Sequence, residues 1–308
     1  MNIEELRERQ SLSLHQKIDH SIGVIEQFIS KTNGKCYIGF SGGKDSTVLL
    51  DLCRMVKPDM KAVFCNTGNE YPDIVKFVRR VDNIDIIYPT IRPEQIFQKF
   101  GFPLISKEMS DKIWHVKNKP NTVIAKRALG LIKRNNYNDE ISKKWEYLIK
   151  EKYNISSFCC DFLKKKPFYK YEKENRVYPI IGVMACESIR RTTDYLRQGQ
   201  CNSFKGRMTS KPLSIWLEKD IWDYIELKHL QIADIYHKGA KRTGCMFCGY
   251  GCQFKEDNRL QIVYDLYPKW YDKFMGYTNN GITYKDALRT VLRKSGLFLP
   301  DEKPDLFK

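Results

Sequence analysis

The sequence predicts an α/β fold built on a doubly wound parallel sheet, with a basic helical insertion and a helical C-terminal region. Short apolar segments alternate with amphipathic segments between residues 35 and 88, as strands alternate with helices in a parallel sheet. A glycine-rich turn joins the first of these strands to the helix that follows it. The 308 residues are enough for one large α/β domain or two smaller ones.

Each strand and helix in the first third of the sequence is predicted from its own residue pattern. Apolar residues recur at helical spacing over residues 3–31, and Gly34 follows where a helix would end. This pattern predicts one or two packing helices ahead of the core. The elements predicted next are a strand at 35–40, a helix at 46–56, a strand at 61–65, a helix at 71–81 and a strand at 84–88.

The remaining two thirds are predicted from weaker signals. From residue 106 the pattern turns helical and basic, which indicates an insertion over about 106–157. The later elements predicted are a strand at 176–183, a helix from Glu187, a helix at 219–230 and two helices between Asn258 and Gly296. The predicted domains are N-terminal helices at 1–34, an α/β domain at 35–230, and a C-terminal cysteine motif with helices at 231–308.

The charge of the protein is strongly basic and unevenly distributed. The sequence has 53 Lys and Arg against 37 Asp and Glu, a formal net charge of +16. Residues 107–176 alone contain 18 Lys and Arg and 9 Asp and Glu. Such a stretch attracts polyanions, so tRNA or DNA is an expected partner. The alternative is a lysine-rich helical surface that is simply solvated.

The termini and the cysteine content predict a reducing compartment. The start of the sequence alternates charges where a secretory signal needs an apolar region, and no segment is apolar enough to span a membrane. We therefore expect a cytoplasmic protein without membrane contact. Ten cysteines in that compartment favour metal ligation over disulfides.

A phosphate-binding loop is predicted at the end of the first strand. The strand runs into Ser41-Gly42-Gly43-Lys44-Asp45-Ser46 and then into an apolar helix. Two glycines allow a tight turn that brings backbone N–H groups close to an anion. The helix N-terminus, the two serine hydroxyls and the lysine add further partners for a pyrophosphate or sulfate group. The alternative is an ordinary glycine-rich turn between a strand and a helix.

The loop resembles the signature of the PP-loop ATP pyrophosphatases and of the sulfonucleotide reductases, the phosphoadenosine phosphosulfate (PAPS) reductase family. The resemblance implies an adenine nucleotide alpha hydrolase-like, Rossmann-like fold that binds ATP, adenylyl sulfate or PAPS. It implies catalytic roles for Lys44 and Asp45, with Mg²⁺ assisting. Asp45 is alternatively only a helix cap.

Two later segments extend the resemblance. Asn66-Thr67-Gly68-Asn69-Glu70 resembles the family's Asp-Thr-Gly turn, with asparagine in place of the acid. The segment from Gly182 to Arg191 resembles the family's later Glu-Ser-Arg segment, in which an arginine faces the nucleotide phosphates. The additional residues that the resemblance assigns to the nucleotide are Thr67, Gly68, Glu70, Gly182, Glu187 and Ser188, with Arg190 or Arg191 as the catalytic arginine.

Four cysteines form a candidate cluster site. Cys159 and Cys160 are adjacent, and Cys245 and Cys248 form a CxxC pair. Two such pairs supply the four thiolates that hold a 4Fe-4S cluster. The segment after Cys160 also resembles the cluster segment of the iron–sulfur type of adenylyl-sulfate reductase. The alternatives are a structural zinc site or unligated thiols.

The other cysteines have different expected roles. Cys252 is a fifth candidate ligand. Cys186 and Cys201 are candidates for a reactive thiol. Three cysteines at strand or helix positions, namely Cys36, Cys53 and Cys65, are expected in the core.

The resemblance leaves three functional hypotheses. A reductase of the resembled type uses a cysteine near its C-terminus as nucleophile, and no cysteine follows Cys252. The leading hypothesis is therefore ATP-dependent adenylation coupled to sulfur transfer onto a nucleic acid, as in related PP-loop enzymes. The second is a sulfonucleotide reductase that uses Cys201 or Cys252, and the third is a non-catalytic nucleotide-sensing module. A sulfur donor or a thiol-reductant protein is an expected partner, and a homodimer is an expected assembly.

Overall fold

The computed structural model of the protein describes residues 2–133 and 139–302. Residues 134–138 of the predicted basic insertion and residues 303–308 of the predicted C-terminal region lie outside this description. No helix within the described part of the chain is both long and apolar enough to cross a membrane.

The strands of the described residues are short. In chain order they are β1 Cys36–Gly39, β2 Ala62–Cys65, β3 Ile84–Ile87, β4 Leu104–Ile105, β5 Tyr178–Ile181, β6 Asn202–Ser203, β7 Thr209–Ser210, β8 Gly249–Tyr250, β9 Thr278–Asn279 and β10 Ile282–Thr283.

The α-helices occur before, between and after these strands along the described chain. In chain order they are α1 Ile3–Gln10, α2 Leu14–Lys31, α3 Lys44–Val56, α4 Pro72–Val78, α5 Pro93–Phe100, α6 Lys107–Asn118, α7 Val123–Ala128, α8 Phe158–Cys160, α9 Lys166–Asn175, α10 Ile189–Gln198, α11 Glu218–Leu227, α12 Arg259–Leu266, α13 Pro268–Met275 and α14 Tyr284–Arg293. Short 3₁₀ helices lie at Lys143–Ile149, Ala185–Glu187, Asp234–Tyr236 and Pro300–Glu302, and a π-helical turn lies at Asp161–Lys165.

The chain divides into two compact units. The sheet unit comprises the described residues up to Asn66, then Pro72–Ile87 and Phe168–His237. The cysteine unit comprises Thr67–Tyr71, Tyr88–Pro167 and the described chain from Lys238 onward. The domain boundaries at residues 34 and 230 stay a prediction.

A six-stranded sheet in the order β3-β2-β1-β5-β7-β6 forms the centre of the sheet unit. All neighbouring strands are parallel except β6 and β7, which pair antiparallel. β1 and β2 are almost entirely buried because helices cover them, as the apolar composition of both strands requires. The predicted α/β class with a mainly parallel sheet is therefore confirmed.

The helices α2 and α11 are tied together within the sheet unit. The Lys17 ammonium of α2 lies 2.6 Å from the Asp220 carboxylate of α11, and both side chains are largely buried. Trp216 donates its indole N–H to the Ser21 hydroxyl at 2.9 Å. These polar groups satisfy each other, which offsets part of the cost of removing them from water.

Most predicted elements coincide with observed ones, and the tail differs. The N-terminal pattern forms two helices, α1 and α2, as predicted. The tail from Asn258 contains three α-helices where two were predicted. Pro268 explains the difference, because its ring and missing N–H end α12 and let α13 begin at the proline itself.

Aromatic side chains form the core of the cysteine unit. Phe97 packs edge-on against Phe102 and Tyr284, with ring centroids 5.7 Å and 5.1 Å away. The Tyr284 hydroxyl donates to the Phe247 carbonyl at 2.7 Å. Since Phe247 lies between Cys245 and Cys248, this bond anchors the CxxC turn to helix α14.

Candidate functional site

The loop between β1 and α3 is a tight turn that requires glycine at its centre. Gly42 has a φ of +73°, a left-handed conformation that side chains disfavour. A Cβ on this residue would lie 2.8 Å from Ile74 Cγ2 and 2.9 Å from Val78 Cγ2. Helix α4 therefore packs directly against the loop backbone.

Two serine hydroxyls bridge the ends of the loop. The Ser41 N–H donates to the Ser46 hydroxyl at 3.2 Å, and the Gly43 N–H donates to the Ser41 hydroxyl at 3.3 Å. Ser46 in turn donates to the Gly43 carbonyl at 2.9 Å. The resulting turn leads directly into the N-terminus of α3, where anions are bound in other proteins.

Lys44 begins helix α3 and is buried. Gly43 precedes it as N-cap without any side-chain cap. The Lys44 N–H donates instead to the Tyr236 hydroxyl at 2.9 Å. This hydroxyl thus occupies a position at the helix N-terminus that a ligand oxygen would also occupy.

The Lys44 ammonium is surrounded by acids and an aromatic ring. Its Nζ lies 3.1 Å from Asp45 Oδ1, 3.4 Å from Glu218 Oε1 and 5.9 Å from the ring centroid of Trp222. Burial acts to lower the pKa of Lys44, but Asp45, Tyr236 and Glu218 act to raise it, and the net pKa lies above the ordinary value. Lys44 is therefore a permanent cation at the loop.

The segment from Gly182 to Arg191 also lies in the sheet unit. A Cβ on Gly182 would lie 3.1 Å from the Asp45 carbonyl oxygen, so the end of β5 closely approaches the start of α3. Glu187 accepts the Met184 N–H at 2.9 Å and pairs with Arg191. Ser188 caps α10. Arg190 is exposed, and the role of Arg190 or Arg191 as the catalytic arginine stays a prediction.

The turn from Thr67 to Glu70 belongs to the cysteine unit. Glu70 accepts the Thr67 N–H at 2.9 Å and the Thr67 hydroxyl at 2.8 Å. Gly68 has a φ of +76°. The Asn69 carbonyl accepts the Met246 N–H at 2.7 Å, which joins the turn to the CxxC segment.

Four predicted cysteine ligands lie within electrostatic reach of one another. Cys159 and Cys160 end the short helix α8, and a π-helical turn follows at once. Cys245 and Cys248 share a turn closed by the Cys248 N–H and the Cys245 carbonyl at 3.1 Å. A hydrogen bond between the Cys159 and Cys160 thiols and the proximity of Cys245 and Cys248 raise the pKa of Cys159. The same thiol–thiol bond lowers the pKa of Cys160 to about 6.

Cations accompany these thiols. Burial raises the pKa of Cys245 to about 12 and also raises that of Cys248, while Lys164 and Arg259 respectively oppose the two shifts. Each cation has an acidic partner: Lys164 lies 3.9 Å from Glu70, and Arg259 contacts Asp257 at 2.9 Å. Cys252 is buried, and burial raises its pKa to about 12.

The described residues contain no group of three His, Cys, Asp or Glu side chains placed as ligands of one metal ion. The donor set nevertheless fits a cluster, because four thiols share one neighbourhood and Lys164 and Arg259 lie beside the thiols of Cys245 and Cys248. The assignment of Cys159, Cys160, Cys245 and Cys248 as ligands stays a prediction.

The remaining cysteines divide by exposure. The three expected in the core, Cys36, Cys53 and Cys65, are buried as predicted. Cys201 is 3% exposed and lies 3.6 Å from His20 Nε2. Cys186 is exposed, and its thiol donates to the Trp216 carbonyl at 3.4 Å.

Sequence reasoning missed several residues around Lys44. Tyr236 and Glu218 reach the loop from positions far along the chain, and neither belongs to a local motif. Trp222 of α11 also lies near the Lys44 ammonium, and 38% of its surface is exposed. A periodic helix pattern identifies an apolar face but not whether that face lies at a cavity.

Comparisons with known proteins match most of the chain. The profile of the phosphoadenosine phosphosulfate reductase domain matches residues 35–99 and 107–250. The uncharacterized protein MJ0973 of Methanocaldococcus jannaschii is 25% identical over 271 residues, covering 85% of this chain and 54% of that protein. The chain thus spans about half the length of the first curated relatives it matches.

Shorter relatives have established names. The adenosine 5'-phosphosulfate reductase of Halalkalibacterium halodurans is 23% identical over 248 residues, covering 78% of this chain and 84% of that enzyme. The solved structure of phosphoadenylyl-sulfate reductase from Candida auris aligns with a TM-score of 0.43 and 16% identity, over 80% of this chain and 96% of that chain. The domain profile covers well over half of the sequence, and on that basis the protein belongs to the phosphoadenosine phosphosulfate reductase domain family.

Proposed function

We propose that the protein is an enzyme that binds ATP at its phosphate loop, adenylates an oxygen of a nucleic acid and couples this step to sulfur transfer. The observation that carries the proposal is the loop itself. A glycine turn, two serine hydroxyls and the buried cation of Lys44 meet at the N-terminus of α3. This arrangement suits a pyrophosphate group, because backbone N–H groups, the helix dipole and a permanent positive charge act together.

The proposed reaction has two steps. The acceptor oxygen forms a bond to the α-phosphorus of ATP while the bond from that phosphorus to pyrophosphate breaks. The sulfur of a sulfide donor then bonds to the activated atom, while the bond from that atom to the AMP oxygen breaks and AMP leaves. Lys44 neutralises charge on the departing pyrophosphate. Asp45 is the loop carboxylate that would hold Mg²⁺, which supplies further charge neutralisation when bound.

The cysteine unit would hold a 4Fe-4S cluster on Cys159, Cys160, Cys245 and Cys248. Such a cluster, when bound, can hold or deliver sulfur, transfer an electron or brace the fold. The cations Lys164 and Arg259 would offset its charge. Cys252 is buried beside Cys248 and stays a fifth candidate ligand.

Sulfonucleotide reduction is the second candidate, and the similarity to adenosine 5'-phosphosulfate reductase favours it. A reductase needs a thiol that can attack the sulfate sulfur. Cys201 and Cys252, the two thiols considered for this role, are only 3% and 5% exposed. Burial raises the pKa of both thiols, which makes them poor nucleophiles. Because both candidate nucleophiles are buried, adenylation ranks ahead of sulfonucleotide reduction as the proposed function.

Pyrophosphate release from ATP by anaerobically purified protein tests the proposal. We expect release to rise when bulk tRNA or DNA is added. Replacing Lys44 with Met should lower the rate by about 100-fold or more, because a cation at the transferring phosphates is lost. The control Lys57→Met removes a lysine at the far end of the same helix and should change little. Sulfite from adenylyl sulfate without pyrophosphate from ATP would contradict adenylation and favour the reductase.

A further inference from the structure

A cavity of about 530 Å³ lies in the sheet unit beside the phosphate loop. Lys76 and Phe77 of α4, together with Arg80 two residues beyond the end of that helix, form one wall. Trp222 and Ile225 of α11 form a second wall, and the segment from Leu230 to His237 forms the third. The volume falls in the range of pockets that hold small organic ligands.

The cavity and the phosphate loop share an aromatic boundary. Trp222 lines the cavity, and the Lys44 ammonium lies 5.9 Å from its ring centroid. Tyr236 meets Trp222 edge-on at 5.8 Å, and its hydroxyl accepts the Lys44 N–H. Only the rings of Trp222 and Tyr236 would therefore separate a ligand in the cavity from the loop.

The lining combines the exposed ring of Trp222 with two cations, Lys76 and Arg80, and two acids, Asp73 and Asp234. Trp222 is exposed, so one part of its ring is available to stack against a flat heterocycle. Lys76 and Arg80 are exposed and form no ion pair with any described residue. Stacking on an aromatic ring with phosphates held by Lys or Arg is how single-stranded nucleic acids are bound without sequence preference.

We propose that this cavity binds one nucleotide unit of a single-stranded nucleic acid, with its base against Trp222 and its phosphates at Lys76 and Arg80. The inference rests on the proposed function, since it assigns the acceptor to a particular place. A nucleotide unit held there would lie near the phosphate loop. The cavity would thereby supply the acceptor subsite that the loop alone does not provide.

Binding of fluorescently labelled single-stranded oligonucleotides, one of DNA and one of RNA, tests the proposal at several salt concentrations. The double variant Lys76→Gln/Arg80→Gln should reduce the slope of log affinity against log salt by about 1.4, the value for two lost phosphate contacts on a single strand. Trp222→Leu should weaken binding roughly tenfold through lost stacking. The DNA and RNA arms show which nucleic acid the subsite prefers.

A matched control separates this cavity from general charge effects. Lys31→Gln/Lys35→Gln removes the same charge beside the start of β1, the end of that strand opposite the loop. It should leave the salt slope unchanged. An equal loss in both double variants, or no loss in Lys76→Gln/Arg80→Gln, would overturn the proposal, as would a wild type that binds neither oligonucleotide.

A parallel measurement of ATP affinity distinguishes the two proposals. Lys76→Gln/Arg80→Gln should bind ATP as the wild type does. A matching loss of ATP affinity would assign the cavity to ATP and overturn the acceptor subsite. If the wild type binds ATP but its pyrophosphate release does not respond to nucleic acid, the proposed function fails. If release responds equally in the wild type and the double variant, only the subsite fails.

Discussion

Gly42 shows how a single missing Cβ shapes the phosphate loop. Gly42→Ala would place a methyl group against Ile74 and Val78 at distances below 3.0 Å. Gly206 provides a matched control, because it has a similar φ of +69° but open space around the position of a Cβ. Gly206→Ala should therefore cost only the left-handed backbone penalty, about 1–2 kcal/mol.

We expect Gly42→Ala to lower the free energy of unfolding by more than Gly206→Ala does, because the clash adds to the backbone cost. Urea denaturation of the two variants measures the difference. We also expect weaker ATP binding in Gly42→Ala alone. Equal losses of stability in the two variants would show that α4 does not constrain the loop.

His20 makes the stability of the protein depend on pH. Burial and the charge of Arg9 lower the pKa of His20 below the ordinary value of 6.5. Below pH 6.5 this histidine therefore binds a proton in the unfolded chain but resists protonation in the folded protein. The free energy of unfolding falls as the pH drops through this value. Above it the ring is neutral in both states and has no such effect.

We expect His20→Gln to flatten this dependence. The urea midpoint of the wild type should fall more steeply below pH 6.5 than that of the variant. The exposed His15 is the control, and His15→Gln should keep the wild-type slope. Identical slopes for the wild type and His20→Gln would refute the role of this histidine.

At the scale of elements, the N–H group at the start of α3 donates a hydrogen bond to a side chain of the protein itself. A ligand oxygen that binds the Lys44 N–H has to displace the Tyr236 hydroxyl. Tyr236→Phe removes this competitor, so phosphate or pyrophosphate should bind several-fold more tightly, since one hydrogen bond contributes about 1 kcal/mol. Calorimetric titration with pyrophosphate measures the change.

Tyr224→Phe is the control for this prediction. Its hydroxyl lies on helix α11 and donates to Asp51 at 2.7 Å, without contacting the Lys44 N–H. It should lower stability without changing anion affinity. Weaker pyrophosphate binding by Tyr236→Phe would mean that the hydroxyl helps to hold the ligand.

The helix that carries Cys159 and Cys160 is short and is followed by an irregular turn. Side chains of neighbouring residues diverge by about 100° on a regular α-helix. Here α8 gives way to a π-helical turn directly after Cys160, an irregularity often found at functional sites. The irregular segment therefore begins at the residue that follows the predicted ligand pair.

We expect about four irons and four sulfides per chain in anaerobically purified protein, the content of one cubane cluster. Cys159→Ser and Cys248→Ser should each lower this content severely. Cys186→Ser changes an exposed thiol of the sheet unit that is not among the four and should leave the iron content intact. Full iron content in both ligand variants, or zinc in place of iron in the wild type, would contradict the cluster.

At the scale of the whole molecule, elements with a local sequence pattern could be predicted, whereas features that depend on long-range contacts could not. Strands β1, β2, β3 and β5 carry apolar runs bounded by turns, so pattern alone located them. The short strands β6 and β7 contain only two residues each and had no such pattern.

The phosphate loop was also predicted from a local sequence motif, whereas the residues that surround it come from distant parts of the sequence. Tyr236 and Lys44 are 192 positions apart, and only the folded sheet unit brings them together. The four cysteines were found because ligand chemistry requires their residue type. Arg259 was missed because an arginine near a thiol has no signature in sequence.

The central claim is that the protein transfers the adenylyl group of ATP to a nucleic acid. The most direct measurement incubates the protein with ATP labelled at the α-phosphate and bulk tRNA or DNA, without any sulfur donor. We expect label on the nucleic acid, removed as AMP when a donor is added and absent with Lys44→Met. Label that never leaves the free nucleotide pool, together with sulfite production from adenylyl sulfate, would contradict it.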